Sequence, residues 1–144
     1  MIINQYLKIL DCTLRDGGYY NNWFFNKDLV QSYLSCCKKS KIDIVELGFR
    51  FLNYKKGLGP FAFTTETTLN QITIPKGLKI SVMINAADFY GEKVNTEKLL
   101  NKVFIKKRFS KISLVRIAIN FNSYEKGLYI AKFLKEYGYE VGFN

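Results

Sequence analysis

Apolar residues along the 144-residue chain fall into two alternating patterns. Near-continuous apolar runs, as expected of strands buried on both faces, occur at residues 6–12, 42–49, 79–85, 112–120 and 139–143. Between them the spacing lengthens to that of amphipathic helices. Over 27–39, Leu29, Val30, Tyr33, Leu34 and Cys37 form a stripe behind Asn26, a residue suited to cap a helix. Asn95-Thr96-Glu97 opens a second helix to about residue 106, with Leu99, Leu100 and Val103 apolar. Ser123 is placed to cap a third that runs to about residue 137, with Gly138 at the stop position. Residues 13–26 and 50–64 read as loops. Segment 65–71 is too short and too β-branched for a firm helix assignment.

Strand followed by helix, repeated, predicts an α/β fold with a parallel sheet and right-handed crossovers. A closed (β/α)8 barrel takes about 250 residues. This chain therefore predicts parallel (β/α) units forming a partial TIM barrel of about five strands. No linker or low-complexity tract divides it, so residues 1–144 are expected to be a single domain.

Composition narrows the chemistry. Hydrophobic residues at 48% are enough for a core. There is no apolar run of about 18 residues and no signal pattern, so a cytoplasmic protein without membrane contact is expected. The net charge of +10 is spread over short clusters such as Lys38-Lys39 and Lys106-Lys107-Arg108. It is read as a solvated lysine-rich surface that attracts anionic metabolites, with no nucleic-acid partner. Cys12, Cys36 and Cys37 lack metal-ligand spacing and are expected to be reduced thiols. The chain has no histidine, which removes the usual near-neutral base and excludes Ser–His–Asp chemistry.

The charged groups that remain cluster at predicted strand ends: Asp11, Arg15 and Asp16 after the first, Glu46 in the second, Asn85 and Asp88 after the third, Arg116 and Asn120 in or after the fourth. In a parallel barrel these ends converge on one face. Gly17-Gly18 is expected to turn the backbone sharply and let it approach a ligand. Asp16 and Glu46 with an arginine suit a divalent cation and an oxyanion. The same residues also suit a structural ion-pair cluster in which Glu46 bridges Arg15 or Arg116 without metal.

The string Asp11-Cys12-Thr13-Leu14-Arg15-Asp16-Gly17-Gly18-Tyr19-Tyr20-Asn21-Asn22-Trp23, followed by Val45-Glu46-Leu47-Gly48-Phe49, resembles the DRE-TIM metallolyases. These are the HMG-CoA lyase-like and 4-hydroxy-2-oxovalerate aldolase-like enzymes, and the string is most similar to the aldolase-like branch. The resemblance implies the N-terminal half of an HMGL-like barrel and a metal-dependent carbon–carbon lyase or aldolase acting on a 2-oxo acid or related acyl substrate through an enolate. It implies Asp16 as a ligand to Mn or Mg, Arg15 as the enolate-stabilising group and Glu46 as their support. The family's His-x-His metal pair is not in these residues, so the metal site is expected to be incomplete here. The branch's acid–base histidine position is occupied by Tyr19, which becomes the third catalytic candidate. The alternative is a non-catalytic half-barrel that works as an assembly or binding module. In either case open strand edges predict a homo-oligomer or a partner half-barrel.

Overall fold

The structure, a computed structural model, describes residues 7–144. Five parallel strands lie side by side in chain order in one sheet. They are β1 (Leu10–Asp11), β2 (Ile44–Phe49), β3 (Lys79–Asn85), β4 (Ile112–Ala118) and β5 (Glu140–Phe143). The sheet is a curled half-barrel with helices, as its repeat predicts. The first strand is shorter than the expected 6–12, and Tyr6 lies outside the described residues.

The helices are α1 (Thr13–Asn21), α2 (Lys27–Lys39), α3 (Pro60–Phe63), α4 (Glu66–Asn70), α5 (Thr96–Val103) and α6 (Tyr124–Glu136). For α2 the cap is as expected: the Asn26 side chain accepts from the Asp28 amide at 2.7 Å. Its face buries Val30, Leu34 and Cys37, and each fully buried aliphatic side chain contributes about 1.5–3 kcal/mol. Leu29 leaves the expected stripe. It is 55% exposed, because a step of about 100° from Val30 carries it past the edge of the packed face.

Other expectations need correction. Residues 13–26 are not all loop, since α1 begins two residues after β1. The Asp11 carboxylate accepts from both the backbone N–H and the hydroxyl of Thr13, at 3.0 Å each, and so satisfies one of the free N–H groups of the first turn. Within 50–64, Gly59-Pro60 starts the short α3, with proline at the first helical position. Thr65 caps α4, its hydroxyl accepting from the Thr68 amide at 3.2 Å. Helix α5 stops at Val103 rather than near 106, where the Arg50 guanidinium takes the Val103 carbonyl at 2.7 Å and the chain turns extended at Phe104. Ser123 makes no side-chain cap to α6. A 3₁₀ turn, Phe121–Ser123, precedes that helix, and Asn120 caps the turn. The helix does end before Gly138, which has φ +93°.

Period-two alternation then sorts the strands. On β4, Val115 and Ile117 are fully buried beneath helices, whereas Leu114, Arg116 and Ala118 face the other way and are half-buried. On β2 that second face carries Glu46, whereas Gly48, opposite Val82 and so level with Val115, lies on the helix-covered face. A Cβ on Gly48 would stand 2.0 Å from the Phe61 carbonyl oxygen, so only glycine lets α3 lie directly on the strand. The β2–β3 register shifts between Glu46 and Gly48, leaving Glu46 opposite Ser81. Met83 in turn stands beside Arg116.

Candidate active site

Helix α1 positions the first group. Leu14 is buried, Trp23 Nε1 donates to the Arg15 carbonyl at 3.0 Å, and the Trp23 amide donates to the Gly18 carbonyl at 3.0 Å. The glycine pair therefore does not turn the backbone towards a ligand; both residues are helical. The close approach is made by the Trp23 indole, whose Cδ1 would lie 2.0 Å from a Cβ on Gly18. With the helix held in this way, the Arg15 side chain reaches β2.

There Glu46, fully buried, organises the cluster. Its Oε1 accepts from Arg15 Nε at 2.9 Å and from Arg116 Nη1 at 2.9 Å, while Ser81 Oγ reaches Oε2 at 3.3 Å. Arg15 also pairs with Asp16. Arg116 further touches Cys12 Sγ at 3.2 Å and pairs with the Asn144 side chain. Desolvation works against the Arg15 charge, but the hydrogen bond and charge of Glu46, together with Asp16, outweigh it and hold the guanidinium above its usual range. Burial first, and then the Glu46 charge, push the Cys12 thiol up against the pull of Arg116 and Arg15. A thiol so placed stays neutral at pH 7 and is a poor nucleophile.

Two guanidiniums share one buried carboxylate, and the charge that balances the pair is Asp16 on the solvent side of Arg15, so the buried part of the cluster alone is positive. Fixed positive charge in a part-buried site is what an oxyanion needs. Asp16, with its side chain 60% exposed, is the solvent-facing carboxylate. Among the described residues no three His, Cys, Asp or Glu side chains group to hold a metal ion. This donor set does not by itself fit a divalent cation.

Tyr19 sits apart from the charges. Its ring meets Trp23 edge-on at 4.9 Å and Phe49 at 6.1 Å, it is 63% exposed, and no hydrogen bond among the described residues ties it to the cluster. Arg15 approaches the same Phe49 ring, 5.9 Å from its centroid. Tyr19 borders a cleft of about 610 Å³ that also reaches Asn85 and Asp88 after β3. Partial desolvation raises the Asp88 carboxyl above its usual range, with Asn85 pulling the other way. Asn120 is spent on its 3₁₀ turn.

Arg116 and Ser81 carry more of the site than the motif suggests. The signal for Arg116 was a lone arginine inside the apolar run Leu114-Val115-Arg116-Ile117, which requires a buried counter-charge. Nothing marked Ser81, whose role comes from strand register. All three cysteines are free; Cys37 is buried, Cys12 half-buried and Cys36 exposed. No described helix is long and apolar enough to cross a membrane.

No protein-family model and no curated protein matches the chain. Among solved structures, the chain is similar to the N-terminal domain of a protein described as a putative aldolase from Bacteroides vulgatus. The two are 37% identical, with a TM-score of 0.76 over 96% of this chain. The chain spans 44% of the length of that neighbour, and over that span the partial barrel is common to both.

Proposed function

We propose that this chain carries the enolate-stabilising part of an aldolase-type site, for carbon–carbon cleavage or condensation of a 2-oxo acid or related acyl substrate. The observation that carries the reading is the Arg15–Glu46–Arg116 cluster between α1, β2 and β4. The neighbour's description as an aldolase-type protein and the Asp-x-Thr-Leu-Arg-Asp-Gly motif support it.

In this reading Glu46, having no access to water, is a positioning residue. It fixes Arg15 through Nε, so the rest of that guanidinium is set before substrate arrives. As the bond next to the substrate carbonyl breaks or forms, negative charge grows on the carbonyl oxygen. A guanidinium already in place meets that charge without reorganising, an effect typically worth about 10²–10³ in rate. Arg116 adds positive charge from the next strand but one. Asp16 pairs with Arg15 on the solvent side, and Tyr19 borders the substrate cleft. The test is incorporation of deuterium into the methyl group of pyruvate, followed by NMR with and without added Mg. Protein-dependent exchange supports the reading; no exchange under either condition overturns it for this chain.

A second reading, assembly with another half-barrel, is favoured by the sheet edges. Strands β1 and β5 each have one neighbour among the described residues, and Phe121 and Phe143 near the β5 edge are 84% and 50% exposed. Light scattering that returns a monomer mass counts against it.

A further inference from the structure

We infer that the cleft bordered by Tyr19, Trp23, Phe51 and Tyr54 receives a flat aromatic group, making it the recognition subsite for the non-reacting end of the substrate. The inference rests on the aldolase-type reading only for the word substrate; the binding itself stands on the cleft.

Four rings line it, and they form a connected array. Tyr19 packs edge-on against Trp23, and Trp23 meets Phe51 edge-on at 5.7 Å. Tyr54 stacks on Phe63 at 5.5 Å, and Phe63 meets Phe51 at 6.5 Å. The array is anchored from below, since Trp23 is 5% exposed and its indole N–H is taken by Arg15. Its two outer rings are left open: Tyr19 is 63% exposed and Tyr54 79%. Rigid inner rings with open outer ones offer both faces and edges at the spacing aromatic partners prefer. The volume, about 610 Å³, lies within the range of small-molecule sites. The polar lining is Asn22, Asn53, Lys55, Asn85 and Asp88, of which Asn85 and Asp88 can meet a hydroxyl on the ring. The Arg15 cluster is next door through Phe49, which contacts Tyr19 on one side and the Arg15 guanidinium on the other. A molecule with an aromatic ring in the cleft can therefore extend its carbonyl towards Arg15.

Trp23 is the single tryptophan of the chain, so its indole N–H gives one assignable NMR cross-peak inside the site. Titration of the ¹⁵N-labelled protein with benzyl alcohol is expected to move that peak saturably. Cyclohexylmethanol, equal in size but not aromatic, is expected to bind at least about threefold more weakly. Tyr54→Ala should weaken benzyl alcohol by about three- to tenfold, whereas Tyr54→Phe should stay within about twofold. An unmoved indole peak, equal binding of the two alcohols, or indifference to Tyr54→Ala in a folded variant overturns the assignment. Aromatic binding without pyruvate exchange upholds the cleft and removes the catalytic reading. Pyruvate exchange without aromatic binding does the reverse.

Discussion

Arg15, the third residue of α1, donates its Nε at 2.9 Å to Glu46, a carboxylate with no solvent exposure 31 positions later in β2. Motif and second strand are thereby joined by one bond. The same Oε1 also accepts from Arg116, so removing the charge leaves two guanidiniums facing a neutral group.

Glu46→Gln is expected to lower stability by about 3 kcal/mol or more, the range for breaking a buried pair on one side. Chemical denaturation measures it. A loss below about 1 kcal/mol would show that the two arginines find other partners or water.

Gly17 and Gly18 are neighbours in α1 with opposite demands. A Cβ on Gly17 meets nothing closer than Phe25 Cζ at 3.9 Å, so Gly17→Ala should stabilise by about 0.5–1 kcal/mol through helix propensity. Gly18→Ala forces the Trp23 indole away, should cost about 1–3 kcal/mol, and should red-shift the emission of the only tryptophan as it meets water. Equal effects of the two substitutions would contradict the packing described.

These two glycines also mark where sequence reasoning reaches its limit. Helix α2 and strand β3 are legible because cap, stripe and apolar run are local signals, and both have the expected bounds. Helix α1 is not legible, because a glycine pair reads as a turn until an indole five residues on is seen to cover it. The candidate site divides in the same way. Arg15, Asp16 and Glu46 are visible in a motif, but the sharing of Glu46 by Arg116, 70 positions apart, depends on the register of three strands. The aromatic cleft likewise draws on α1 and on the segment after β2, so no single stretch announces it.

Asp11 accepts from the Thr13 amide, the Thr13 hydroxyl and, at 2.6 Å, from Tyr33 Oη on α2. Burial and this last bond hold the Tyr33 phenol well above its usual range. Asp11→Ala removes the acceptor of the Thr13 amide at the start of α1 and leaves the part-buried Tyr33 hydroxyl without its acceptor. The expected cost is about 1–3 kcal/mol in denaturant titration. A neutral substitution would mean that α1 forms without this anchor.

Lys79 on β3 pairs with Glu140 on β5, across β4. The hydrogen bond from Lys79 holds the Glu140 carboxyl below its usual range, with burial opposing. A depressed carboxyl contributes stability above its unfolded pKa and loses it as pH falls through the lower folded value. Both side chains are well exposed, so Glu140→Gln should cost less than about 1 kcal/mol at pH 7. The difference from wild type should shrink towards zero as pH falls below about 4 and should weaken in 1 M salt. A pH-independent difference would assign the effect to packing.

The central claim is that Arg15, held by Glu46, meets the charge that develops on a substrate carbonyl oxygen. Deuterium exchange into the methyl group of pyruvate, compared between wild type and Arg15→Gln at matched stability, tests it most directly. The expected result is a measurable wild-type rate that falls about 10²–10³-fold in the variant. An Arg15→Gln protein that exchanges at the wild-type rate would contradict the claim and leave the cluster as a structural ion-pair network.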